Sequence, residues 1–246
     1  MRRRNKAQQF VAAALVLSLR QVRCAWRSRR LLAVGGVIAV SWLARPEMWS
    51  PTAALWGGFF TAMLAAAVAG GAIIAQEFDS GAMALQRLHR ASTAQITAGS
   101  LIYLVTVTLI AFLIWVTAAA ITDPEIRYAP LVLPIAACML ALAAWCTILT
   151  FLGSFIPGYG NVAVGGALVL FGAADTLGRY PFISRALEVI RDLLPLPRRA
   201  AQILRKLQAG GPISEDILVL LLGSFAFVAA TILVLNRRDP ASGWRR

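Results

Sequence analysis

Long runs of apolar residues dominate the chain, and turns rich in charge, proline or glycine separate them. A helix needs about 20 apolar residues to cross a hydrocarbon layer about 30 Å thick, because each residue advances it by about 1.5 Å. Five runs reach this length or come close to it: residues 52–75, 99–121, 130–155, 160–177 and 217–235. The pattern therefore predicts five membrane-spanning helices.

A sixth apolar run, residues 31–44, holds only 14 residues between Arg30 and Arg45. It predicts a short span whose flanking arginines extend their side chains toward the lipid headgroups. Residues 8–27, just before it, mix apolar and basic positions on one helix. We interpret that segment as a basic amphipathic helix that lies in an anionic membrane surface. Its expected membrane contacts are Arg20, Arg23, Arg27, Arg29 and Arg30.

The longest interruption, residues 178–216, has an amphipathic pattern of its own. Ile183, Leu187, Ile190 and Leu194 repeat at helical spacing until Pro195 ends the pattern. Residues 198–207 again place leucine and isoleucine beside cations. Two short amphipathic helices are therefore expected between spans five and six. We predict an all-α integral membrane protein, in which residues 1–246 form a single domain with six spans and an N-terminal amphipathic elbow helix.

Composition and charge agree with a membrane protein. The chain is 59% apolar and only 14% charged, with a formal net charge of +13. A soluble domain is about 45–50% apolar and about 25% charged, so a water-soluble globule is excluded. The positive excess requires an anionic partner or a membrane face. The three cysteines, Cys24, Cys138 and Cys146, form no close pair and predict neither a disulfide framework nor a metal site.

Several kinds of chemistry are missing from the apolar runs. Residues 52–75, 99–121, 130–155 and 160–174 contain no Asp, Glu, Lys, Arg or His, which argues against a proton-coupled carrier. The only histidine, His89, lies in a polar loop, so an intramembrane protease would lack its base. No phosphate-binding GxxxxGK[ST] loop is present. We expect no catalytic residue, no bound metal and no cofactor in this chain, and any energy must come from another chain.

One polar segment resembles a known family. Residues 75–101 read AQEFDSGAMALQRLHRASTAQITAGSL. Glu77, Asp79, Ser80 and Gly81 stand where type 2 permeases of ATP-binding-cassette (ABC) exporters carry the motif of the loop between their second and third spans. Leu85, Ser92, Ile96 and Gly99 also fit that motif, whereas Arg90, Thr93 and Ser100 replace its usual Pro, Arg and Lys. The ending Arg237-Arg238-Asp239 after an apolar last span is similar to that of these permeases.

The resemblance implies a permease subunit that forms an export pathway, not an enzyme. It would pair with a second copy or a related permease and with a separate ABC ATPase, which holds ATP and Mg. Residues 76–98 would form a cytoplasmic coupling loop that contacts the ATPase through Glu77, Asp79, Gly81, Arg87, His89 and Arg90. The expected location is the inner membrane of a prokaryotic cell, with both termini cytoplasmic and no nucleic-acid partner. The alternative is a non-transporting membrane scaffold or assembly protein.

The distribution of cations conflicts with this topology. Six spans with an internal N-terminus place 15 Lys and Arg residues inside and 9 outside, whereas five spans place 18 inside and 6 outside. The positive-inside rule thus favours five spans. Five spans would put residues 76–98 on the side away from ATP, so the resemblance leads us to predict six.

Overall fold

A computed structural model describes residues 6–44, 51–70, 91–122, 132–156, 160–173, 206 and 213–237. These residues contain seven helices and no strand, which confirms the all-α prediction for the described part of the chain. The helices are α1 Lys6–Arg27, α2 Arg30–Leu43, α3 Pro51–Gly70, α4 Thr93–Thr122, α5 Val132–Phe155, α6 Gly160–Ala173 and α7 Ser214–Arg237.

Three of these helices are long and apolar enough to cross a membrane: α4, α5 and α7. They mark the chain as a helical membrane protein. Two further apolar segments, Arg30–Leu43 and Ala54–Gly70, are shorter, and α6 has 14 described residues.

Two helices begin earlier than the apolar pattern indicates. Helix α4 starts at Thr93 rather than near residue 99, because Ser92 and Gln95 form a reciprocal capping box. The Ser92 backbone N–H donates to Gln95 Oε1 at 2.8 Å, and the Gln95 N–H donates to Ser92 Oγ at 3.2 Å. Helix α7 starts at Ser214 rather than at residue 217, because Glu215 and Asp216 in its first turn stabilise its positive end.

The core lies where α3, α4 and α5 meet. The indole N–H of Trp145 donates to the carbonyl oxygen of Met63 at 3.2 Å and thereby joins α5 to α3. Thr108 Oγ1 and Cys146 Sγ are 3.3 Å apart and join α4 to α5. Small side chains on α3, including Ala62 and Ala66, are fully buried and let the backbones approach closely.

The contacts along α4 define the directions of α2 and α3. Arg30 at the start of α2 is near enough to Tyr103 to act on it electrostatically, and the rings of Trp42 and Trp115 are 5.1 Å apart. Helix α2 therefore runs parallel to α4. Helix α3 runs antiparallel to α4, because Gly57 lies against Trp115 whereas Gly70 lies against Leu104.

Candidate functional site

The residues expected to couple to an ATPase are Glu77, Asp79, Gly81, Arg87, His89 and Arg90, and all six lie outside the described residues. The structure therefore does not test their role. It does describe the residues that follow them, from Ala91 onward, and so shows which helices surround the point where the predicted coupling loop joins α4.

The start of α4 contacts the end of α7. Thr93 Oγ1 donates to Asn236 Oδ1 at 2.5 Å. Just inside this hydrogen bond, Ile96 and Leu235 are buried against each other, with Leu17 of α1 packed beside them. Three segments that are far apart in sequence, α1, the first turns of α4 and the last turn of α7, thus meet at one end of the bundle.

Helix α1 is fixed to α4 by a close backbone approach. A Cβ atom added to Gly99 would lie 2.7 Å from Leu17 Cβ and 3.1 Å from the Ala14 carbonyl oxygen, so only glycine fits without a shift. One turn along α1, the Gln21 side-chain amide donates to Ser100 Oγ at 2.8 Å in a buried hydrogen bond. A close backbone approach and a buried polar contact thus join α1 to α4, beside the packing of Leu17.

The opposite face of α1 is exposed and mixes apolar with basic side chains. Its large exposed apolar residues include Val11, Leu15, Val16, Leu19 and Trp26, and Arg20, Arg23 and Arg27 are exposed as well. This mixture is typical of a helix that lies in a membrane interface, where apolar groups enter the acyl region and guanidinium groups face headgroups.

The five arginines expected to contact the membrane do not share one environment. Arg20, Arg23, Arg27 and Arg29 are exposed, whereas the Arg30 side chain is only 9% exposed. Arg29 adopts the left-handed conformation, with φ of 58°, at the turn between α1 and α2. Arg30 follows that residue directly, and it lies near enough to Tyr103 of α4 to act on it electrostatically.

An ion pair at the first turn of α7 is not predicted by the sequence pattern. Lys206 Nζ lies 2.6 Å from Asp216 Oδ2, and the Asp216 side chain is fully buried. The sequence signal was the acidic pair Glu215-Asp216 in front of an apolar run, which we assigned to the amphipathic insert. The pattern could not show that Asp216 is buried while Glu215 is exposed.

The described residues contain no group of three His, Cys, Asp or Glu side chains that could hold a metal ion. No protein-family model, curated protein or solved structure matches this chain.

Proposed function

We propose that this chain is the permease subunit of an ABC exporter, with six spans, two cytoplasmic termini and a cytoplasmic coupling loop at residues 76–98. It forms the export pathway with a second copy or a related permease. The energy comes from ATP and Mg on a separate ATPase subunit. The proposal rests on the motif of residues 75–101 together with the arrangement of helices around the start of α4.

The observation that carries the proposal is the parallel course of α2 and α4. With α2 counted as a short span, α1, the end of the predicted coupling loop and the end of α7 all lie on the same side of the membrane. Such an arrangement is what an ATPase docked in the cytoplasm requires. Five spans, which the positive-inside rule favours, would leave α2 without a crossing.

The two topologies make opposite predictions for the ends of α4. Ser92 and Thr122 flank this helix, so a cysteine at each position reports one side of the membrane. In a background with Cys24, Cys138 and Cys146 replaced by alanine, a membrane-impermeant maleimide on intact cells should label Thr122→Cys. It should label Ser92→Cys only after the membrane is permeabilised. Labelling of Ser92→Cys alone on intact cells contradicts the proposed orientation.

Coupling is tested by recovery of the ATPase subunit. Glu77→Lys and Gly81→Pro should leave the amount of protein in the membrane unchanged and abolish copurification of an ATPase with the tagged chain. Glu215→Lys is the matched control, because it makes the same charge reversal at an exposed position in the first turn of α7, at the other end of this helix from Asn236. If wild type recovers no ATPase, or if Glu77→Lys recovers as much as wild type, the scaffold alternative is favoured.

A further inference from the structure

The turn between α1 and α2 concentrates positive charge at a helix N-terminus. The N-cap residue of α2, Arg29, makes no side-chain capping hydrogen bond, and the first turn of α2 contains no acidic residue. Instead three arginines, Arg27, Arg29 and Arg30, stand within a stretch of four residues at this N-terminus. Because the N-terminus of a helix already carries partial positive charge, three guanidinium groups there repel it and each other unless an anion is present.

A second and independent observation concerns the buried side chain of Arg30. Its Nη2 atom is buried and receives no hydrogen-bond acceptor from the described residues, and the Oη atom of Tyr103 is likewise buried without a hydrogen-bond partner there. A guanidinium donor taken out of water is strongly unfavourable unless an acceptor replaces the lost water. The turn therefore offers donors on three guanidinium groups and the N-terminal backbone of α2, and Tyr103 lies near enough to Arg30 to act on it electrostatically.

The length of α2 indicates where the anion comes from. Its 14 residues extend about 21 Å, less than the hydrocarbon thickness of about 30 Å. A span this short draws lipid headgroups inward at its ends. The exposed apolar side chains Leu32 and Trp26 flank the turn and provide a surface for acyl chains. A phosphate that is attached to two acyl chains fits this surface, whereas a free phosphate gains nothing from it.

We propose that the α1–α2 turn is a binding site for the phosphate of an anionic phospholipid, held by Arg30, Arg29 and the N-terminal N–H groups of α2. Arg30 makes the two-pronged contact that a guanidinium forms with a phosphate. The site ties α1 and α2 to a lipid headgroup, and it does not depend on an ATPase partner.

The test uses full-length protein, purified in a neutral detergent and stripped of lipid. Its thermal midpoint is measured while phosphatidylglycerol, diacylglycerol or millimolar inorganic phosphate is added. Phosphatidylglycerol should raise the midpoint of wild type, and diacylglycerol and inorganic phosphate should not. In Arg30→Gln the concentration of phosphatidylglycerol that produces half of the rise in the thermal midpoint should be about tenfold higher than in wild type. A tenfold change is typical of losing one charge-assisted contact. Arg237→Gln, an exposed cation at the same end of the bundle, should respond like wild type.

An equal response of Arg30→Gln and wild type overturns the site, and so does a shift produced equally by diacylglycerol. An Arg30-dependent shift with inorganic phosphate alone overturns the lipid as occupant. If Arg30→Gln does not fold, Arg30→Lys retains the charge without the two-pronged geometry and should bind several-fold more weakly. Native mass spectrometry of wild type should show phosphatidylglycerol retained after delipidation, and its absence also contradicts the proposal.

Discussion

Helices α5 and α7 have the same length and similar apolar character, yet they occupy different places. Each has 24 residues. In the most apolar window of α5, 56% of the residues are buried, against 11% in that of α7. The buried residues of α5 are mostly small or weakly polar and include Ala141, Ala144, Cys146, Thr150 and Ser154. The exposed residues of α7 include several large apolar ones, among them Leu218, Leu221, Leu222, Phe225 and Leu233.

The difference follows from the solvent. Lipid tails are as apolar as leucine, so large apolar side chains gain little by leaving them for the protein interior. Close packing and interhelical polar contacts decide which helix is central, and both need small residues and hydroxyl or thiol groups. On α5, therefore, most of the buried side chains are small or weakly polar, whereas α7 exposes several large apolar side chains.

The largest effect is expected from a comparison of two aromatic residues, one on α5 and one on α7. Trp145 of α5 is 1% exposed, whereas Phe225 of α7 is 76% exposed. Trp145→Ala leaves a cavity and removes the hydrogen bond to Met63, so the free energy of unfolding should fall by about 3–5 kcal/mol. Phe225→Ala should change it by less than about 0.5 kcal/mol. Denaturation of both variants in mixed micelles measures the difference, and equal losses would contradict the assignment of α7 to the periphery.

Two glycines extend the comparison to backbone contacts. A Cβ atom at Gly99 would meet Leu17 and Ala14 of α1, whereas one at Gly223 of α7 would meet nothing within 4 Å. Gly99→Ala should destabilise the protein by about 1–3 kcal/mol, since α1 must shift. Gly223→Ala should be neutral or stabilising by up to about 1 kcal/mol. Thermal unfolding in detergent provides the readout, and a neutral Gly99→Ala would mean that α1 is not held against α4.

The first turn of α7 contains a buried carboxylate beside an exposed one. Asp216 is fully buried and paired with Lys206, whereas its neighbour Glu215 is exposed. Asp216→Asn should lower the free energy of unfolding by about 1–2 kcal/mol. Breaking a fully buried ion pair costs about 3–5 kcal/mol, and the loss here is smaller because the Lys206 side chain is 42% exposed. Glu215→Gln should stay within about 0.5 kcal/mol of wild type in the same unfolding assay. If Glu215→Gln lowers the free energy of unfolding more than Asp216→Asn does, the assignment of Asp216 as the stabilising carboxylate is wrong.

The smallest expected effect compares Thr106 and Thr108, which are two residues apart on α4 and face different surroundings. Thr108 is buried and contacts Cys146 of α5, whereas Thr106 is exposed and donates only to the carbonyl of its own helix. Thr108→Val should cost about 0.6 kcal/mol, the average for a polar contact between membrane helices. Thr106→Val should have no measurable effect. A double-mutant cycle with Cys146→Ala isolates the contact, and a coupling energy of zero would remove it from the forces that hold α4 to α5.

The sequence predicted most of the helices. Charged or proline-containing turns separate the apolar runs, and helices α2 to α7 begin or end within a few residues of those turns. The pattern failed where side chains rather than hydropathy set a boundary. The capping pair Ser92 and Gln95 extends α4 into the predicted loop, and Glu215 and Asp216 extend α7 into the predicted insert. Both extensions are polar, so an apolar count could not find them.

The environment of Arg30 was not predictable. The sequence placed it in one set with Arg20, Arg23, Arg27 and Arg29, because all five precede the same apolar run. In the structure Arg30 follows the left-handed residue Arg29, is buried, and lies near enough to Tyr103 to act on it electrostatically. The other four arginines are exposed, and no hydropathy pattern distinguishes them from Arg30.

The amino-acid sequence alone determined that this protein is helical and lies in a membrane, because the lengths of its apolar runs match the hydrocarbon layer and most of its charges lie outside those runs. Only the tertiary structure decided which helices form the interior, that α2 runs parallel to α4, and that α1 meets the end of α7. These arrangements depend on close contacts between residues far apart in the chain, such as Gly99 with Leu17 and Thr93 with Asn236. The hydropathy pattern does not predict them, because every span is apolar. Lipid tails and the protein interior also solvate apolar residues almost equally.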